Sequence, residues 1–235
     1  TPVTDYFSYA NRQWVVGSAD VTNTYNTCGV CATVISGCTD ATATNYNPAA
    51  TTDDGSCLYG PILTQIDLPV TFEGTTVNYT MTDFGGNASM LMIDPTNAAN
   101  KVMRVIKTTG AQTWAGTTIS TPTGLATAIP FTATDQKMTV KVWSPTAGTP
   151  ILLKVEDAAN GGINSEVSVN TTVAAGWDSL VFDFSTASSA INLANTYNMA
   201  SIFMDFLSAA AQDTFYFDDV MFVNGGAVSI SGCTD

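Results

Sequence analysis

Met138-Thr139-Val140-Lys141-Val142-Trp143 carries an apolar side chain at every second position of its first five residues. That is the period of a strand with one face in a core and the other outside. Met138, Val140 and Val142 are expected inward, and Thr139, Lys141 and Trp143 outward. Ile151-Leu152-Leu153-Lys154-Val155-Glu156 repeats the pattern, with Ile151, Leu153 and Val155 inward. Val167 and Val169 alternate with Glu166, Ser168 and Asn170, and Leu180, Phe182 and Phe184 follow. Residues 202–206 and 215–222 read the same way. Ser144-Pro145, Gly148-Thr149-Pro150, Asn160-Gly161-Gly162 and Ala175-Gly176 punctuate these runs as turns. Short period-two segments at such spacing, almost without helical periodicity, predict an all-β module over residues 61–226. The expected architecture is an antiparallel β-sandwich of the jelly-roll type. Residues 186–200 alone suit a short helix or an irregular crossing.

The cysteines frame this module. Cys28, Cys31, Cys38 and Cys57 precede it and Cys233 follows it, with none between. The paired ligands of a zinc ribbon are missing, so disulfides in small connecting units are the better account, and they imply an oxidising, extracellular setting. Ile35-Ser36-Gly37-Cys38-Thr39-Asp40 recurs as Ile230-Ser231-Gly232-Cys233-Thr234-Asp235. The first copy runs on to Cys57 and the second stops, so Cys233 lacks the partner that Cys57 supplies to Cys38. Residues 34–60 therefore read as a Cys-stapled connector and 227–235 as the start of the next one, a beads-on-string arrangement. Residues 1–33 read as the tail of a preceding module, with a strand at 13–16 and a Cys28–Cys31 staple.

Twenty acidic residues against seven basic ones give a net charge of −13. Such a surface repels phosphate backbones and argues against nucleic acid as a partner. It suits a soluble extracellular protein, and its carboxylates suit Ca²⁺. Histidine is absent, which removes Ser–His–Asp and Cys–His nucleophiles and nearly every catalytic zinc site. No phosphate-cradling glycine loop is present. No apolar run reaches the roughly 18 residues of a membrane-spanning helix, so no membrane insertion is expected.

Gly37-Cys38-Thr39-Asp40, Asn45-Tyr46-Asn47-Pro48 and Asp53-Asp54-Gly55-Ser56-Cys57 occur in order within residues 36–59. This segment resembles a short calcium- and disulfide-associated repeat of large secreted proteins of marine gliding bacteria, exported by the type IX system. The resemblance implies a Ca²⁺ site, for which Asp40, Asn45, Asn47, Asp53 and Asp54 offer oxygen ligands. The other reading of the same residues is a metal-free linker rich in Asx turns. In the larger module, Thr71-Phe72-Glu73-Gly74, the segment 111–117, Trp177-Asp178-Ser179-Leu180-Val181-Phe182-Asp183-Phe184 and Tyr216-Phe217-Asp218-Asp219-Val220 resemble the jelly-roll carbohydrate-binding modules of the family 4, 9 and 22 type. That resemblance implies a first strand at Thr71–Gly74 and a core position for Trp177. It also implies a structural Ca²⁺ where Glu73 meets Asp218 and Asp219; period two lets one of the two aspartates face inward, with Asp219 preferred.

Sugar recognition needs aromatic faces beside polar groups that bond hydroxyls. Trp143, Lys141, Lys154, Glu156 and Glu166 fall on the non-core parity. Asp205 joins them if Ile202, Met204 and Phe206 point inward. Trp114 and Gln112 are placed at one end and Arg104 on a neighbouring strand, all in one groove on one sheet. Six of the seven basic residues lie between Lys101 and Lys154, which concentrates cationic groups there. Two readings stay open. The module is a non-catalytic binder of polysaccharide, with β-glucan of the laminarin type favoured by the resemblance. Alternatively, sandwich and connectors are repeats of a calcium-stiffened surface adhesin with no sugar site.

Overall fold

The computed structural model describes residues 34–209 and 212–224. The expectations placed on Cys28, Cys31 and Cys233, and on segments 1–33 and 227–235, lie outside these residues. The described residues divide into two compact units, one up to Gly60 and the other from Pro61.

The first unit is a loop-rich knot around one disulfide, Cys38–Cys57, with Cα atoms 4.8 Å apart. Only Cys38 and Ala43 are buried apolar residues in it, too few to hold a fold by burial. Local hydrogen bonds do the rest. The Thr42 N–H and hydroxyl both donate to Asp40 Oδ1 at 2.8 Å, and the Tyr59 hydroxyl donates to Oδ2 at 2.7 Å. These donors, the Thr42 amide foremost and Tyr59 next, hold the Asp40 carboxyl below the usual range. Asn47, Asp53 and Asp54 each accept the amide two residues on, from Ala49, Gly55 and Ser56, which is the Asx turn. Gly55 supplies the positive φ of 75° that its turn requires. Asn45 ties the two ends of the loop, donating to the Ser56 carbonyl and accepting from the Leu58 amide.

The second unit is the β-sandwich. Its strands are β1 (Thr64–Gln65), β2 (Val77–Asn78), β3 (Thr82–Phe84), β4 (Asn87–Asp94), β5 (Asn97–Lys107), β6 (Gly116–Thr118), β7 (Lys137–Ser144), β8 (Pro150–Asp157), β9 (Asn160–Asn170), β10 (Gly176–Asp183), β11 (Met199–Phe203) and β12 (Thr214–Val223). One five-stranded sheet runs β10-β7-β12-β5-β4, the other β3-β6-β11-β8-β9, and β1 and β2 form a small parallel pair. Every pairing within the two large sheets is antiparallel. Met138, Val140 and Val142 from one sheet meet Ile151, Leu153 and Val155 from the other in a single core, all at 0% exposure. Burying each such side chain stabilises the fold by about 1.5–3 kcal/mol. The all-β antiparallel sandwich, jelly-roll in type, is thus what the alternation predicts.

Four local expectations are corrected. Thr71–Gly74 forms no strand. Phe72 instead sits at a φ of 60° and is fully buried, packing edge-on against Phe217 and Tyr79. Beside it, Val70 makes an isolated two-way bridge to Val220. Trp177 is not core: it lies opposite Trp143 on the outward parity of β10, because Leu180 and Phe182 take the inward positions. Strand β11 ends at Phe203, and Asp205 and Leu207 adopt positive φ of 50° and 68°. That turn removes Phe206 from the core parity. Finally, neither aspartate turns into the core: Asp218 lies opposite the outward Lys141, and Asp219 pairs with the same lysine. A bulge at Asp219, with φ 46°, shifts the register between Asp218 and Met221, so Phe217 and Val220 both enter the core and Asp218, not Asp219, is buried.

The 4–5 hairpin, with β4 opposite β5 around Pro95-Thr96, completes one edge. Asp94 closes it by accepting from the Thr96 amide and hydroxyl, both at 2.7 Å.

Cross-linking a loop of this span removes about 3 kcal/mol of unfolded-chain entropy. Cys57→Ser is therefore expected to abolish amide protection at Thr44 and Asn47 in hydrogen exchange while the sandwich melts at its wild-type temperature. Retained protection in the variant would show that the Asx turns suffice alone.

Candidate functional site

The pleat of β8 buries Ile151, Leu153 and Val155 and thereby turns Leu152, Lys154 and Glu156 to the outer face of their sheet. Register then assembles two rows. Thr82, Thr118, Ser201, Lys154 and Glu166 lie side by side across β3, β6, β11, β8 and β9. One step along the strands, Phe84 faces Gly116, and Phe203 faces Leu152. Trp114 and Phe206 from adjoining loops join Phe84, Thr118, Leu152, Lys154, Glu156, Glu166, Ser201 and Phe203 around a groove of about 440 Å³.

One end of the groove is aromatic. Trp114 stacks on Phe84 with ring centroids 6.3 Å apart and planes 17° from parallel. Phe84 meets Phe203 edge-on at 5.4 Å, and Phe203 meets Phe206 at 5.6 Å. Trp114 is 50% exposed, so its free face is open to a ligand. Gly116 makes the arrangement possible. A β-carbon there would lie 2.5 Å from Phe84 and 2.9 Å from Phe203, closer than any real contact. The other end is charged. Lys154 Nζ is 2.9 Å from Glu156 Oε2, and Glu166 stands opposite Lys154 in the register. One ammonium and two carboxylates, beside the hydroxyls of Thr118 and Ser201, form a dense set of donors and acceptors.

The structure brings together four of the expected ligand residues: Trp114, Lys154, Glu156 and Glu166. Gln112 and Asp205 lie on the loops that carry Trp114 and Phe206; the Gln112 amide donates to Gly85 O. Trp143, Lys141 and Arg104 do not join them. They sit on β7 and β5 of the opposite sheet, outside a core that separates the two faces. Trp177, Trp143, Tyr216, Arg104 and Met90 form a row of their own there, with Trp143 edge-on to Tyr216 at 5.5 Å. Alternation distinguishes inside from outside but not one sheet's exterior from the other's, so the single groove expected from parity is corrected to two faces. The sequence pattern does not single out Phe84, Phe203, Phe206 and Ser201, which the structure adds to the groove. Gly85-Gly86 before and Gly116 after the Trp114 loop were the available signal.

The expected calcium ligands are not assembled. Asp219 pairs with Lys141 at 2.6 Å, and Glu73 Oε1 accepts the Lys101 amide at 2.6 Å. Asp218 and Asp94, both buried, lie instead around the Asn100 side-chain amide, which donates to them at 3.0 and 3.5 Å. Burial raises the Asp218 carboxyl to about 6. In the connector, Asp40, Asn45, Asn47, Asp53 and Asp54 already accept main-chain hydrogens. Among the described residues no three His, Cys, Asp or Glu side chains converge.

No family model matches the chain, and no curated protein matches it. Among solved structures it is similar to the family 11 carbohydrate-binding module of a cellulosomal cellulase of Clostridium thermocellum, at 16% identity over 68% of this chain and 96% of that one, with a TM-score of 0.45. An exo-β-agarase gives 10% identity over 67% of this chain and 25% of its own, with a TM-score of 0.47. A carbohydrate-binding module of family 29 gives 8%, 67%, 86% and 0.40. At these identities and TM-scores they add nothing to the sandwich already evident from the sheet order.

Two measurements test this geometry. Gly116→Ala is expected to displace Phe84 and Phe203, to cost about 1–3 kcal/mol by overpacking and to change the near-ultraviolet circular dichroism of the aromatic cluster. The raised Asp218 carboxyl favours the protonated folded state. Metal-free protein should therefore lose stability as pH rises from 3.8 to about 6, by at most about 3 kcal/mol. Asp218→Asn should flatten that slope in thermal melts.

Proposed function

We propose that the groove binds a polysaccharide without cleaving it, and that the chain is a binding segment of a secreted modular protein. The observation that carries this reading is the run Trp114–Phe84–Phe203–Phe206 set beside Lys154, Glu156 and Glu166 on one sheet face. Pyranose rings offer apolar faces that stack on aromatics and equatorial hydroxyls that bond charged side chains. A glycosidase needs one carboxyl free to protonate and one free to attack or activate water, whereas Glu156 is tied to Lys154. The Cys38–Cys57 bridge supports an oxidising, extracellular location. β-Glucan of the laminarin type is the ligand favoured by the family resemblance.

Laminarin titrated in a calorimeter or set in an affinity gel tests the reading. Trp114→Ala is expected to weaken binding at least about tenfold, the equivalent of one lost aromatic contact, with little change in melting temperature. Trp143→Ala, on the opposite face, is expected to bind like wild type. Wild-type protein that ignores laminarin and other β-glucans, or a Trp114→Ala variant that binds unchanged, rejects the assignment.

The recurrence of Ile-Ser-Gly-Cys-Thr-Asp on both sides of the sandwich favours a second reading, a calcium-stiffened adhesin repeat. The buried Asp94–Asp218 pair is where the calcium of that reading is tested. A cation bound there would keep Asp218 ionised, so added calcium should reverse the pH dependence between 3.8 and about 6 and raise the melting temperature at neutral pH. Identical melts in calcium and in EDTA would remove the metal from the account.

A further inference from the structure

Lys107 closes β5 with its side chain inside the protein, at 1% exposure. Its ammonium has three hydrogens and meets three main-chain carbonyls: Asp205 O at 2.7 Å, Ser208 O at 3.0 Å and Thr113 O at 3.4 Å. These acceptors belong to two loops that are distant in sequence. Thr113 immediately precedes Trp114, and Asp205 and Ser208 bracket Phe206 and Leu207. The loops are also joined directly, since the Leu207 amide donates to the same Thr113 carbonyl at 2.9 Å. The Phe206 amide in turn reaches Pro150 O at 2.9 Å, which anchors the second loop to the start of β8. Asp205 and Leu207 hold positive φ, a conformation that non-glycine residues keep only when their surroundings enforce it. Carbonyls turned toward one buried point would repel one another without a donor among them. Burial lowers the Lys107 pKa, and the Asp205 carboxylate opposes that shift. Lys107 does not line the groove.

We infer that Lys107 is a positioning residue of the groove, an internal cation on a side-chain tether that pins the Trp114 loop to the Phe206 loop. The aromatic end of the groove is then a product of two loops sharing one ammonium, and not of the sheet alone. What this does to ligand binding rests on the glycan reading; what it does to the loops does not.

The test uses the whole chain. In wild type, reductive methylation with formaldehyde and borohydride should dimethylate the other lysines and spare Lys107, and the Lys107 ¹⁵Nζ ammonium signal should be protected from exchange. Lys107→Met keeps the length and apolar packing of the stem and removes the three donors. It is expected to speed amide exchange of Phe206 and Leu207 at least tenfold and to shift the Trp114 indole resonance. The indoles of Trp143 and Trp177 should stay in place. Retention on a laminarin gel should fall with the loop order. A packing role alone would be met by methionine, so unchanged Phe206, Leu207 and Trp114 signals in a folded Lys107→Met variant overturn the inference. Should that variant not fold, ready methylation of Lys107 in wild type overturns it equally. If wild type does not bind laminarin, the glycan reading fails while the loop signals still decide the role of Lys107.

Discussion

The pleat of β8 is the constraint on which the rest depends. Ile151, Leu153 and Val155 fill the centre of the core, and a strand that commits one parity to burial commits the other to the surface. Leu152, Lys154 and Glu156 therefore reach the outer face in fixed order at fixed spacing. The neighbours of β8 carry this order outward by register. Ser201 and Phe203 arrive from β11 and Glu166 from β9, so that apolar and charged residues settle into separate rows. A slip of one residue in β8 would exchange the groove for the core. The burial of three aliphatic side chains thus fixes a site that none of them touches.

Within that frame, the absence of one side chain matters as much as the presence of others. Gly116 leaves room for Phe84 and Phe203 to close over the β6 backbone, and Trp114 then has a ring to rest on. The loops at this end do not inherit their order from a sheet. They are irregular, one contains two residues at positive φ, and they meet around main-chain carbonyls. The opposite face of the sandwich differs in kind. Its row from Trp177 to Met90 follows strand register throughout, with Trp143 packed edge-on to Tyr216 and the Lys141–Asp219 ion pair alongside. The two exteriors of one sandwich are therefore built by different means, one by register alone and the other by register and loops together.

Much of this was legible in the sequence, for reasons that also mark where legibility stopped. The alternations in β7, β8 and β12 gave the fold because their inward residues are uniformly apolar. Trp114, Lys154, Glu156 and Glu166 were placed in the site from parity and from the Trp114 loop. Trp143, Lys141 and Arg104 share their parity but not their sheet, and parity carries no label for the sheet. Phe206 reads as core because it continues the parity of Ile202 and Met204, and only the turn at Asp205 and Leu207 says otherwise. The bulge at Asp219 leaves both adjacent aspartates on the outer side of the sheet with Asp218 buried there, a change of one residue in register that composition does not announce. Lys107 was hidden by its own chemistry, since a lysine at the end of a strand is ordinarily read as a solvated charge.

The position of β12 has a consequence for how the chain reaches its native state. It is the middle strand of its sheet, hydrogen-bonded to β7 on one side and β5 on the other, yet it is the last strand of the sandwich to be made among the described residues. Phe215 pairs with Val105, and Phe217 with Met103 and Val142, across stretches of chain that must all be present first. Until residues 214–223 emerge, β4–β5 and β7–β10 are two separate ribbons with open inner edges and half of a core exposed to water. The connector differs, since its turns at Asp40, Asn47, Asp53 and Asp54 close over two residues and form without waiting. A chain of this design forms the turns of its connector early and its sandwich late, in one long-range step when residues 214–223 join β5 and β7.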